Sequence, residues 1–417
     1  MPEFLQLLPP TDALAVLLNS LPVMIPPVEE VNTNQALGRV TGGAVVSPEP
    51  LPAFSRSTVD GYAVRARDIF GASETLPVYL SLAGEVPMGG VPAFSLSAGQ
   101  AALIHTGGML PEGADAVIMI EHTQVARPGA VEALRAVAPG ENELRSGEAV
   151  AAGPIVLFAG TCLGPAEIGG LMALGLTRIP VVTRPRVAIL SSGDEVIEPE
   201  QTPRPGQVRD INSYTLSALV EQHGGCPQRY GIIPDRREAL EQVLRRALGE
   251  CDVVIITAGS SASTRDLTAE VIDTLGPPGV LVHGVNVKPG KPTILAVCQD
   301  LAGGSAKPVI GLPGNPVSAL VIAGLFVVPV VERLLGVNPN RPRPLVPARL
   351  SVNLPSQAGR EDWIPVKLVK NAAGYTAEPI FYKSNLIFTL AQADGMLLIP
   401  PDATGLEAGA VVEVFIL

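Results

Sequence analysis

The chain has 417 residues, too many for one compact core, so two to four domains are expected. Its formal net charge is −11 and aromatic residues make up 4% of it, which argues against nucleic-acid recognition by a broad basic face. Cys162, Cys226, Cys251 and Cys298 stand far apart with no C-x-x-C pair, and His105, His122, His223 and His283 show no metal-ligand spacing. Neither a zinc cluster nor a disulfide framework is suggested. Buried reduced thiols in a cytoplasmic setting are expected, and any metal should be held by oxygen.

In chain order, residues 1–21 set Glu3 and Asp12 among apolar residues without a basic n-region, which predicts an amphipathic helix capped near Thr11 rather than a signal peptide. A Pro-rich crossing leads into SRSTVDGYAV, 55–64, where Asp60–Gly61 is a turn signal. From there to about Gly147 short strands alternate with Gly and Pro turns, as in a β-rich domain. Residues 153–183 read as a short strand, a Pro-started helix and another strand, which return to the first helix to complete a connecting domain. From Arg186 onward strands and helices alternate, which calls for an α/β domain with a mainly parallel sheet. NPNRPRPLVP then reads as a linker to a final β-rich segment whose clearest strands are GREDWIPVKL and AGAVVEVFIL. The fold class is therefore multidomain α/β plus β. Its units are a discontinuous connecting domain (1–47 and 150–184), an inserted β-rich domain (48–149), the α/β domain (185–337) and a C-terminal β domain (338–417). The apolar stretch 317–331, uncharged throughout, contains Gly324 and Pro329 and falls short of the ~18 residues a membrane span needs. It predicts a core helix, with no membrane partner.

Three loops of the α/β domain carry the chemistry. GLPGNPVS, 311–318, follows a strand and opens the long helix, with Asn315 or Ser318 as a cap; free N–H groups and the macrodipole at such a helix start suit an anion. An ordinary strand-to-helix turn is the plain alternative. AGSSASTRD, 258–266, follows the apolar strand DVVIIT and offers small residues, hydroxyls such as Ser261, and Asp266, which as the start of the next helix could equally be only its N-cap. VKPGKP, 287–292, holds Lys288 and Lys291 on a segment stiffened by two prolines, more like anion clamps than solvated lysines. Ligands of such sheets bind outside the carboxyl ends of the strands, so Asp194, Glu195, Asp235 and Asp266 should gather near the two lysines. Carboxylates beside anion-binding lysines suit a phosphate carried with Mg²⁺.

The set SxxDGYAV, IHTGGMLPEGADAVI, RPRVAILSSGDEV, GIIPD, TAGSSASTRD, VHGVNVKPGKP, GLPGNPVSA and GREDWIPVKL, in this order over essentially the whole chain, resembles the molybdopterin molybdenumtransferase family, which includes the E domain of gephyrin. The resemblance implies an elongated homodimer of four domains. Its implied activity takes adenylylated molybdopterin and molybdate as substrates, cleaves the phosphoanhydride with Mg²⁺, releases AMP and leaves molybdenum on the dithiolate. A pterin adenylyltransferase is an implied further partner. Residue by residue, Glu195, Asp235 and Asp266 match the family's acidic and metal positions. Ser261, Lys288, Lys291, Pro313, Gly314, Asn315, Pro316 and Ser318 match its substrate-binding loops. Asp60 and Thr106 match catalytic positions that face the cleft from the other subunit, although Asp60 also reads as a purely structural turn residue; Arg360 and Ser384 match positions of the last domain.

The chain departs from the family at two places. The usual RxxGED is Arg145-Ser146-Gly147-Glu148-Ala149, which loses an acid, and GGVSVG is Ala258-Gly259-Ser260-Ser261-Ala262-Ser263, which loses two glycines. Three other readings therefore stand beside an active transferase: a non-catalytic pterin carrier or scaffold, a tungsten-specific variant, and a pterin adenylyltransferase, against which DGYA and the extra domains argue.

Overall fold

The computed structural model describes residues 7–23, 25–258, 262–299, 304–339, 341–381 and 383–417, without the side chains of 262–266. Its largest unit is built on runs that are apolar without alternation, because both sheet faces are covered. Val253–Ala258 is buried along its whole length and runs parallel to Arg186–Ser192 on one side and Ala306–Pro313 on the other. The sheet order is Cys226–Ile233, Arg186–Ser192, Val253–Ala258, Ala306–Pro313, Ile294–Gln299, Pro278–His283. Ile294–Gln299 is antiparallel to both its neighbours, so the sheet is mainly parallel, as the alternation predicts. Val187, Ile189 and Ile255 pack on one face with Leu216 and Phe326, and Leu190 and Ile256 pack on the other with Leu244 and Ile272.

Several local expectations change. The first helix is Pro10–Ser20, but its cap is Pro9, with no side-chain bond, rather than Thr11. Pro10 has no N–H to leave unpaired at the first helical position, which makes a side-chain cap dispensable. Ala13 and Leu17 of this helix pack with Leu295, Val297 and Phe326, so it lies on the α/β unit. Segment 153–183 pairs instead with the chain beyond that helix: Arg178–Val182 with Val28–Asn32, and Ile155–Leu157 with Val45–Val46. The helix expected from Asp266 is Ala262–Asp273, so Asp266 lies inside it rather than at its cap; Ala and Ser are compatible with helix and let it start early. The long helix Pro316–Leu334 spans 19 residues with 67% of its most apolar window buried, a core helix. Its middle, Ala323–Val327, is a π turn just before Pro329, where the wider turn accommodates the missing N–H and the ring.

The β-rich unit is a six-stranded sheet ordered Ala116–Met119, Gly61–Val64, Gln100–Ile104, Val78–Glu85, Ala130–Ala133, Thr123–Arg127. A Cβ at Gly61 would collide with the Ile118 carbonyl, so glycine is what lets the DGYAV strand close on its neighbour. In the C-terminal unit Glu361–Asn371 pairs with Gly395–Ile399 through its first half and with Gly374–Pro379 through its second. Leu345–Leu350 and Val411–Ile416 complete the circuit, which closes a five-stranded barrel. One further pairing joins the units: Val287–Lys288 of the lysine loop runs parallel to Glu361–Asp362. The stretch expected to be a plain linker is anchored, because Arg341 and Arg343 pair with the buried Glu332, 2.8 Å for Arg343, and His223 Nδ1 lies 3.7 Å from the same carboxylate. All four cysteines are free; Cys251 and Cys298 are buried as expected, but Cys162 and Cys226 are exposed.

Candidate functional site

Where the barrel meets the α/β unit, a cleft of about 840 Å³ is lined by Lys288, Lys291, Pro313, Asn315, Ser318, Arg360 and Ser384 among others. A Cβ on Gly290, whose φ is +118°, would run into Ile322, so glycine lets the lysine loop lie directly on the helix that GLPGNP opens. Arg360 grips the buried Asp362 with two bonds, Nε to Oδ1 at 2.7 Å and an Nη to Oδ2 at 3.2 Å. Lys288 Nζ stands 3.9 Å from the same carboxylate with its side chain 60% exposed. The lining thus holds three cations and one carboxylate, of which Arg360 and Lys288 stand at Asp362 and Lys291 pairs with no carboxylate among the described residues. The cleft attracts anions.

The helix start contributes less than its sequence suggests. Asn315 is the N-cap but makes no side-chain cap bond, Pro316 has no N–H, and the Val317 N–H is donated to the Ser384 carbonyl at 3.1 Å. Ser318 is buried one turn in. Lysine and arginine side chains, rather than a row of open amides, supply most of the positive field.

The carboxylates form a second pole. Ser192 Oγ donates to Asp235 Oδ1, and the Asp235 N–H donates to Asp194 Oδ1 at 3.3 Å. Glu195 lies exposed on the same loop. The side chain of Asp266, and Ser261 altogether, lie outside the described residues. Neither Glu195 nor Asp235 lines the cleft, which corrects the expectation that they sit beside the lysines. The sheet order sets the strand ending at Ser192 two places from the one ending at Pro313, about 10 Å at the usual strand spacing, with the lysine loop farther still. The two poles lie along one edge of one sheet. As for Mg²⁺, no cage of three or more His, Cys, Asp or Glu occurs among the described residues. Asp235 and the exposed Glu195, on loops that follow neighbouring strands, nevertheless offer oxygen ligands of the kind a hard cation takes while it keeps its waters and accepts substrate phosphate oxygens.

Between the poles lies a link that the sequence reading missed. Ser191 Oγ donates to Asp210 Oδ2 at 2.9 Å, Asp210 Oδ1 accepts the Ser213 N–H at 3.1 Å, and Asn212 Nδ2 donates to the Gly314 carbonyl at 2.8 Å. Asp210, Asn212 and Ser213 are all buried. An Asp-x-Asn ahead of a helix reads from sequence only as a cap.

On the β-rich unit, Asp60 Oδ1 accepts the Thr106 N–H at 2.8 Å and the Thr106 hydroxyl at 3.2 Å, with His105 Nδ1 at 3.7 Å. The Thr106 amide bond outweighs desolvation and, with the hydroxyl and His105, holds the Asp60 carboxyl below its ordinary range. His105 Nε2 lies 3.4 Å from Glu85, so an acid-base cluster surrounds the pair found by sequence. The Asp60 carbonyl also accepts the Ile120 N–H at 3.0 Å, so the residue serves the turn as well. Asp60 and Thr106 do not line the cleft of their own chain. Beside Ala149, Glu148 is spent on the local turn, accepting the Arg145 N–H at 2.8 Å.

Three family models match in succession: the MoeA N-terminal region (domain I and II) over residues 8–175, a probable molybdopterin binding domain over 188–333, and the MoeA C-terminal region (domain IV) over 347–417. A putative molybdopterin biosynthesis protein of Methanocaldococcus jannaschii is 36% identical, covering 94% of this chain and 92% of its own. A protein named molybdopterin molybdenumtransferase from Nostoc sp. is 34% identical over 93% of this chain and 88% of its own. Among solved structures, the molybdopterin biosynthesis protein moeA of Pyrococcus horikoshii OT3 superposes with a TM-score of 0.85 at 33% identity, covering 99% of this chain and 100% of that one.

Proposed function

The chain belongs to the molybdopterin molybdenumtransferase family, and from that membership we infer that it inserts molybdenum from molybdate into adenylylated molybdopterin and releases AMP, in the last step of molybdenum cofactor biosynthesis. The observation that carries this reading is the two-pole edge: a cationic cleft at one end of the sheet and carboxylates at the other. Lys288, Lys291 and Arg360 bind the oxyanion and compensate charge that develops on the phosphoanhydride as it breaks. Ser384 and Asn315 orient the anion from the two sides of the cleft. Asp235 and Glu195, with Asp266, would hold Mg²⁺, which when bound supplies a Lewis acid toward the leaving phosphate. Ser192 fixes the Asp235 carboxylate through its short hydrogen bond. Asp60 and Thr106 complete the site from the partner copy of a cytoplasmic homodimer.

The test is AMP release from adenylylated molybdopterin with Mg²⁺, with and without molybdate, followed by reconstitution of an apo-molybdoenzyme. Molybdate-dependent AMP release with reconstitution is expected. Tight pterin binding without AMP release would instead make the chain a carrier, with Ala149 and the altered 258–263 loop as the lost functions.

A further inference from the structure

We propose that Asn212 is a positioning residue of the anion cleft, aiming the Asn315 amide at the ligand and tying the GLPGNP turn to the acidic loop. The inference rests on the transferase reading and adds to it a residue that neither touches substrate nor stands in any of the motifs quoted above.

The Gly314–Asn315 peptide is not among the cis bonds of the chain, so its carbonyl and N–H point in opposite directions. Asn212 Nδ2 holds that carbonyl at 2.8 Å on the side of the helix Asn212–Gln222. The Asn315 N–H is thereby aimed away from Asn212, and Asn315 lines the cleft together with Pro313 and Ser318 of the same stretch. The same bond occupies a carbonyl oxygen that would otherwise repel an oxyanion. Asn212 is 8% exposed, and its Oδ1 is buried without a partner among the described residues. An amide kept in the core at the expense of an unpaired oxygen is retained for the bond its other end makes. Next to it, Ser213 and Asp210 connect to Ser191, whose neighbour Ser192 bonds Asp235. One buried path thus runs from the acidic pole to the anion turn.

Trp363, the single tryptophan, lines the cleft and reports binding by its fluorescence. Titration with sodium molybdate should show Asn212→Ala and Asn212→Asp binding at least tenfold more weakly than wild type. Their thermal unfolding midpoints should stay close to wild type, and in AMP release KM should rise far more than kcat falls. A purely structural role would lower the midpoint and leave the affinity of the folded protein unchanged. Equal molybdate affinity in wild type and both variants overturns the inference and leaves the transferase reading standing. Absence of molybdate binding by wild type overturns both. Should the variants not fold, hydrogen exchange at the wild-type Asn315 amide decides: slowing by molybdate supports the assignment, and an unchanged rate overturns it.

Discussion

Glu332→Gln tests how firmly the barrel is held to the α/β unit. The Glu332 side chain is 11% exposed and meets Arg341 and Arg343, themselves 38% and 48% exposed, with His223 alongside. Removing one partner of a fully buried pair costs ~3–5 kcal/mol. Here both guanidiniums reach water and glutamine keeps one acceptor, so the expected loss is about 1–2 kcal/mol. Burial opposes ionisation of Glu332, but His223, Arg343 and Arg341 outweigh it and hold the carboxyl below its ordinary value of 4.5. A depressed pKa stabilises the fold above the unfolded value and loses that contribution as pH falls through the folded one. The gap between wild type and variant should therefore be constant near neutrality and narrow below about pH 4.5. Urea unfolding followed by Trp363 fluorescence, which reports the interface itself, measures it. An unchanged midpoint at neutral pH, or a gap that widens on acidification, would refute the reasoning.

Other outcomes follow from the same geometry. Asp235→Ala should lower AMP release by about a hundredfold or more, while molybdate affinity, set at the other pole, changes less than about threefold. Lys291→Ala should weaken molybdate binding and flatten its salt dependence, read from titrations at low and high ionic strength. Because the Thr106 amide lowers the Asp60 pKa, the activity deficit of Asp60→Asn should be constant from neutral pH down to about the ordinary carboxylate range and shrink only below it, which a kcat/KM pH profile checks. Iodoacetamide at mildly alkaline pH should label Cys162 and Cys226 but spare Cys251 and Cys298, the latter pushed up to about 12 by burial, as read by mass spectrometry of the intact protein.

Local chemistry was the legible part of this chain. Runs such as DVVIIT can only be strands covered on both faces, and alternation with helices leaves little choice but a parallel sheet. An amphipathic helix announces a face but not what covers it, which is why the sequence joins Pro10–Ser20 to 153–183 while the fold packs it on the α/β sheet. Two-residue pairings between distant segments, such as Val287–Lys288 with Glu361–Asp362, leave no periodicity to read. The motif residues were found, yet their separation into two poles depends on strand order, which no loop sequence encodes. Asp210 and Asn212 are not legible in the sequence because a buried polar link and a helix cap use the same residue types.

The pairing of Val287–Lys288 with the barrel also constrains how the cleft can breathe. Lys288 is structurally a member of the barrel's sheet although its chain belongs to the other unit, and the Asn286 side chain adds a bond to the Gly359 carbonyl. Separating the two walls along their visible seam would break backbone hydrogen bonds. The GLPGNP side is tied as well, through the Val317 N–H to the Ser384 carbonyl and the packing of Val317 and Val321 on Leu390 and Met396. The cleft is therefore stitched on both walls, and admitting a bulky substrate by parting them costs hydrogen bonds at each.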